Sequence, residues 1–143
     1  MSPANAAMMD LSKTQAWRAV CARQDLVLNS GVVALIGNTQ VALFYVACIS
    51  GTPQLFAVDN RDPVSGVNVI GRGLVGSLAG DLVIASPLYK QHYRLEDGTC
   101  LEDPSLRLRT WPARLNGEVV EVDVGLVSVR NLWEPACWRR RSI

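Results

Sequence analysis

The sequence is poor in the residues that build metal centres. Among its 143 residues there is one histidine, His92, and the four cysteines are widely spaced, at Cys21, Cys48, Cys100 and Cys137. Zinc and iron–sulfur sites usually draw ligands in close pairs, because a tight turn then presents two of them to one ion. We therefore predict cysteines that act as small buried hydrophobic residues, and an ordinary strand-surface or half-buried histidine. An all-cysteine site assembled from distant strands is the less favoured alternative.

The chain also lacks an excess of charge of one sign and any long apolar run. It has 14 basic and 13 acidic residues and a pI of about 7.7, whereas domains built for nucleic acid usually have a pI above about 9. The longest apolar stretch, residues 41–49, is about half of the roughly 18 residues that a membrane helix needs. The N-terminus has no basic region of the kind that precedes a signal-peptide core. We expect a cytoplasmic protein that binds neither nucleic acid nor a membrane.

The chain is 49% hydrophobic and 19% charged. Its clearest local signals are those of hairpin turns. Three turn-forming dipeptides follow or separate strand-like runs: Gly37-Asn38, Asp97-Gly98 and Asn116-Gly117. Residues 17–21, 55–58, 82–85 and 107–110 are further short strand candidates, and no long amphipathic helix is evident between residues 24 and 124. The sequence predicts one all-β domain, a small antiparallel barrel or sandwich.

One glycine motif suggests a nucleotide site that its context does not support. Gly71, Gly73 and Gly76 match the G-x-G-x-x-G pattern, and Glu96 lies about twenty residues on, where a ribose-binding acid is expected. That pattern must open a long helix, yet only three residues follow it before Gly80 and a new strand. We interpret the segment as a glycine-rich loop.

The two ends of the chain differ from its middle. We predict an N-terminal extension over residues 1–13, the folded domain over 14–124 and a C-terminal tail over 125–143. The tail has a net charge of +3 and contains two tryptophans and a run of three arginines, which suit docking on an acidic surface. A frayed extension without function is the alternative.

Residues 57–64 and 83–89 resemble the two cluster-binding loops of Rieske domains. In that alignment Asp62 and Val64 take the positions of the first cysteine and histidine, and Ser86 and Tyr89 take those of the second pair. A Rieske centre needs two thiolates and two histidines, and a chain with a single histidine cannot supply them. The resemblance therefore implies a Rieske-like fold with two hairpin tip loops, degenerate ligand positions, and no metal or cofactor in this chain.

A closer resemblance is to the small subunit of NAD(P)H-dependent nitrite reductase. It covers residues from about 17 to 124 and rests on six stretches: 31–37, 40–44, 56–63, 70–74, 85–91 and 94–103. Two motifs within them, R-G-L at 72–74 and S-P-L-x-K-Q at 86–91, are specific to this subfamily. The resemblance implies an oxidoreductase subunit that forms a hetero-oligomer with a large subunit carrying FAD, an iron–sulfur cluster and sirohaem. The complex would reduce nitrite to ammonium in nitrate and nitrite assimilation, and this chain itself would hold no catalytic residue.

The two loops carry our expectations for a site. Their prolines should hold them in shape without a cluster, and we expect Asp62 or Ser86 to accept hydrogen bonds from neighbouring backbone N–H groups. Arg61, Tyr89 and Lys90 are the residue types of a docking surface, and we predict that they contact the large subunit. The alternative is that Tyr89 only fills the space left by the missing cluster.

Two other functions share this fold. A free-standing protein-binding module would use the same loop tip for another partner. A ferredoxin-type electron carrier would need the cluster ligands that this sequence lacks.

Overall fold

The computed structural model describes residues 16–48 and 51–125, in which the regular elements are strands and two short 3-10 turns. The 3-10 turns are Arg23–Asp25 and Ile70–Arg72. The strands are β1 (Trp17–Ala22), β2 (Gly31–Ile36), β3 (Thr39–Val46), β4 (Gln54–Asp59), β5 (Leu74–Leu78), β6 (Asp81–Ala85), β7 (His92–Arg94), β8 (Thr110–Trp111), β9 (Ala113–Asn116) and β10 (Val119–Asp123). The all-β prediction is confirmed. The expectations for residues 1–13 and for the tail, of which only Gly125 is described, lie outside these residues.

The strands form three antiparallel sheets with a hydrophobic core on each side of the middle one. The sheet orders are β1-β10-β9, β2-β3-β4-β8 and β5-β6-β7. Alternate residues of β3 point to opposite faces, so Val41 and Leu43 join the core shared with β10 and β8, while Ala42 and Phe44 join the core under β6 and β7. Burial on both faces explains why β3 is a nearly continuous apolar run.

The predicted turns are where the sequence placed them. β2 and β3 pair antiparallel across Gly37 and Asn38, and β9 and β10 pair across a turn that contains Gly117. Gly37 and Gly117 have φ values of +61° and +65°, which suit glycine in the tight turns of hairpins. Among the described residues no helix is long and apolar enough to cross a membrane.

The interpretation of residues 71–76 as a glycine-rich loop is only partly correct. Residues 74–78 form β5, which pairs with β6 through a turn at Ala79 and Gly80. Most of β5 is exposed, so its sequence shows no alternation of apolar and polar residues, and Ala79 is not a typical turn residue although its φ is +52°. The interpretation of residues 71–76 as a loop is therefore wrong for residues 74–76, which lie in β5.

Two other expectations need correction. Of the strand predicted over residues 107–110, only Thr110 lies in a strand, β8. Arg107 makes only an isolated bridge to Thr99. Of the described cysteines, Cys100 is buried but Cys21 and Cys48 are half-buried. His92 is half-buried on β7, as predicted.

Candidate functional site

Two neighbouring loops, residues 60–69 after β4 and residues 86–91 between β6 and β7, form the site, and we call them the tip loops. In the first, the Asp62 N–H donates to the Val67 carbonyl (2.8 Å) and the Gly66 N–H donates to the Asp62 carbonyl (2.7 Å). In the second, the Ser86 N–H donates to the Gln91 carbonyl (2.8 Å). Both are narrow hairpin loops held by their own backbones.

The side chains at the first ligand position of each loop bind neighbouring backbone groups. Asp62 Oδ1 accepts hydrogen bonds from the N–H groups of Val64 (2.7 Å) and Ser65 (3.3 Å). Ser86 Oγ accepts a long one from the N–H of Leu88 (3.4 Å). Short polar side chains commonly satisfy turns in this way. The prediction that these two residues tie their loops is confirmed.

A direct link between the two loops was not predicted. The Ser86 hydroxyl donates a hydrogen bond to Asp62 Oδ2. Asp62 is 0% exposed and Ser86 is 1% exposed, and a buried carboxylate is costly unless donors surround it. Three donors surround the Asp62 carboxylate, namely the N–H groups of Val64 and Ser65 and the Ser86 hydroxyl. The presence of short polar residues at both positions was the only signal in the sequence, and it does not reveal a contact between residues 24 positions apart.

The second ligand position of each loop lies at the surface. Val64 is 42% exposed and Tyr89 is 57% exposed. Tyr89 is therefore not buried between the loops, and more than half of it is open to solvent. Arg61 and Lys90 are also exposed, so the three residues expected to dock a partner share one accessible end of the domain.

The charge of Asp62 also affects the pKa of a buried tyrosine, Tyr93. Tyr93 on β7 is fully buried. Burial first, and the negative charge of Asp62 second, raise the pKa of the Tyr93 phenol far above its usual range. Tyr93 is therefore a neutral phenol at physiological pH.

These residues do not fit a Rieske cluster. The Val64 side chain has no atom that can bind a metal, and the Ser86 hydroxyl is hydrogen-bonded to the Asp62 carboxylate. His92 Nδ1 lies 2.6 Å from Glu102 Oε2, where the half-buried histidine pairs with an exposed carboxylate just after the second loop. Across residues 16–48 and 51–125 no three His, Cys, Asp or Glu side chains are grouped so that they could hold a metal ion.

The fold and the paired tip loops define the class of protein. The family model described as a Rieske-like [2Fe-2S] domain matches residues 16–123. Over 106 residues the chain is 39% identical to the nitrite reductase (NADH) small subunit of Escherichia coli (strain K12), covering 74% of this chain and 95% of that relative. The chain belongs to the family of Rieske-like nitrite reductase small subunits.

Two further comparisons agree with this membership. The solution NMR structure of the nitrite reductase [NAD(P)H] small subunit from Erwinia carotovora matches with a TM-score of 0.62 and 35% identity, covering 76% of this chain and 82% of that one. The nitrite reductase [NAD(P)H] large subunit of Klebsiella oxytoca is 38% identical over 104 residues, which are 72% of this chain but only 10% of that relative. A domain of this kind thus also occurs inside a much longer chain.

Proposed function

We propose that this chain is the small subunit of an NAD(P)H-dependent nitrite reductase and acts by assembling with a large, redox-active subunit in the cytoplasm. The observation that carries the proposal is the 39% identity along 95% of the E. coli small subunit. The Klebsiella relative supports the partner, because a domain of this kind is covalently part of a chain named as the large subunit. The complex supports reduction of nitrite to ammonium in nitrate and nitrite assimilation.

In this proposal the chain holds no redox centre of its own. The donor set at the tip loops supports this, since one position is a valine and the buried carboxylate is satisfied by Ser86 and backbone N–H groups. The electrons then pass from NAD(P)H to nitrite within the large subunit, for which the family resemblance implies FAD, an iron–sulfur cluster and sirohaem. The role of the small subunit is to support that assembly.

We place the contact with the large subunit at the tip loops. Arg61, Tyr89 and Lys90 are exposed there, and arginine and tyrosine are frequent in the energetically important parts of interfaces. The loops are tied by Asp62 and Ser86, so little ordering is needed when a partner binds.

The two other functions make different predictions for the purified protein. An electron carrier would be coloured and contain iron, which the residues at the ligand positions do not support. A free-standing binding module would be captured with some protein other than a nitrite reductase large subunit.

The test is affinity capture of the tagged full-length chain from cells in which it is expressed together with the cognate large subunit. We expect the captured material to contain the large subunit, to show flavin and sirohaem absorbance, and to form ammonium from nitrite with NAD(P)H. Capture of the chain alone, or with unrelated proteins, while the large subunit stays in the unbound fraction, overturns the proposal.

A further inference from the structure

The charges of the domain are separated between the tip and the rest of the fold. We define the tip surface as the tip loops together with residues 70–74, whose Gly73 packs against Ala85 immediately before the second loop. This surface has three cations, Arg61, Arg72 and Lys90, all exposed. Its one carboxylate, Asp62, is fully buried. The remaining described residues have six cations against ten carboxylates.

Ion pairing strengthens this separation. Away from the tip, Arg94, Arg109 and Arg114 each lie within ion-pairing distance of a carboxylate, at 3.1 Å, 3.2 Å and 2.8 Å. Arg72 and Lys90 pair with no carboxylate among the described residues. Their charge is therefore available to an external anionic group. The exposed acid beside the second loop, Glu102, is bonded to the backbone N–H and the ring of His92 and pairs with neither cation.

Exposed apolar side chains lie among these cations. Val64 and Val67 on the first loop and Leu88 and Tyr89 on the second are 42%, 48%, 48% and 57% exposed. Leu74, at 77%, pairs with Ala85 beside the second loop. A surface that combines exposed apolar side chains with cations suits a protein partner, and it differs from the purely charged surface that phosphate backbones select.

We infer that the tip surface binds a surface of the large subunit that presents carboxylates around apolar pockets. This inference rests on the proposed function and adds the chemistry of the partner to it. Opposite charges speed the encounter and fix the orientation, while the apolar side chains supply most of the binding energy. Arg72, which the sequence analysis did not single out as a docking residue, becomes part of the contact.

The test measures binding of the full chain to the purified cognate large subunit by surface plasmon resonance at several salt concentrations. We expect the association rate to fall about tenfold or more between low and high salt. Lys90→Glu and Arg72→Glu should each raise Kd about tenfold. The matched control is Arg23→Glu, which makes the same charge change at an exposed site in the 3-10 turn after β1 and should change Kd less than about twofold.

A second matched pair tests the apolar part. Val64→Ser, at 42% exposure on the tip surface, should raise Kd about tenfold, whereas Val119→Ser, at 39% exposure on β10, should leave Kd unchanged. Absence of any binding by the unmodified chain overturns the proposed function. Binding that is insensitive to salt, and weakened equally by tip and control variants, leaves the proposed function standing but overturns this inference.

Discussion

The Ser86 hydroxyl donates a hydrogen bond to the Asp62 carboxylate, and this contact joins two loops at residues 24 positions apart in the chain. Both side chains are inaccessible to solvent. In a cluster-bearing Rieske domain the metal centre joins the corresponding loops. Here a buried polar pair does so, and Asp62 also binds the backbone of its own loop through the Val64 N–H at 2.7 Å.

Ser86→Ala should lower the free energy of unfolding by about 2 kcal/mol, because it removes a donor from a buried carboxylate. Urea unfolding followed by tryptophan fluorescence measures the change. Ser105→Ala is the matched control, since the Ser105 hydroxyl donates to Asp103 Oδ1 (2.6 Å) in an exposed Ser–Asp pair. It should cost less than about 1 kcal/mol, and equal losses in the two variants would show that the buried link does not stabilise the loops.

Much of the fold was predictable because its signals are local. Turn residues such as Gly37-Asn38 specify hairpins through the backbone angles that glycine and asparagine tolerate, and the apolar run of β3 identifies a central strand. β5 was missed because it is largely exposed and its turn contains Ala79, so neither burial nor turn chemistry marks it in the sequence.

Only the hydrogen bonds within each loop of the site could be predicted from the sequence. Asp62 and Ser86 bind nearby N–H groups, which short polar residues do in many turns. Their bond to each other depends on how the third sheet packs against the second, and no local pattern contains that information. The charge separation likewise depends on which carboxylates are buried or paired, which is a property of the folded domain.

Gly98 makes a close backbone contact that no other residue can replace. Its φ is +81°, and a side chain there would begin 1.9 Å from the Leu108 carbonyl oxygen. Gly98→Ala should therefore cost about 3 kcal/mol or more, from backbone strain together with overpacking. Gly117→Ala is the control, because φ is +65° but nothing lies within 4 Å, and strain alone should cost about 1 kcal/mol. The same unfolding assay compares them, and equal costs would refute the close contact.

Acid should destabilise the turn at Asp97. The Thr99 N–H, at 2.9 Å, and to a lesser extent the charge of Arg94 hold the pKa of Asp97 below its usual range. A carboxyl whose folded-state pKa is lowered contributes stability above its unfolded pKa of about 4, and that contribution is lost as pH falls. Asp97→Asn should therefore be less stable than the unmodified chain at pH 7, by a few tenths of a kcal/mol for so exposed a group.

The pH dependence checks the sign of this effect. The difference between Asp97→Asn and the unmodified chain should shrink as unfolding is measured from pH 7 down to pH 3. Glu96→Gln removes the same charge from an exposed neighbour and serves as the control. A difference that grows towards low pH would show that the sign is wrong.

Iron reconstitution tests the degenerate ligand positions. After anaerobic treatment with iron and sulfide, we expect the unmodified chain to show no visible absorbance band and no stoichiometric iron. The fourfold variant Asp62→Cys, Val64→His, Ser86→Cys, Tyr89→His should acquire a [2Fe–2S] spectrum, because it restores the ligand set of a Rieske centre. A stable cluster in the unmodified chain would refute the account of the site, and a folded but colourless fourfold variant would refute the alignment of the loops.

The most direct test of the central claim is the mass of the particle formed when the purified full chain is mixed with the purified cognate large subunit. Size-exclusion chromatography with light scattering at micromolar concentrations measures it. We predict one peak that contains both chains in a fixed ratio, with a mass equal to their sum or a multiple of it. Two separate peaks, each with the mass of one protein alone, would contradict the claim that this chain is a nitrite reductase small subunit.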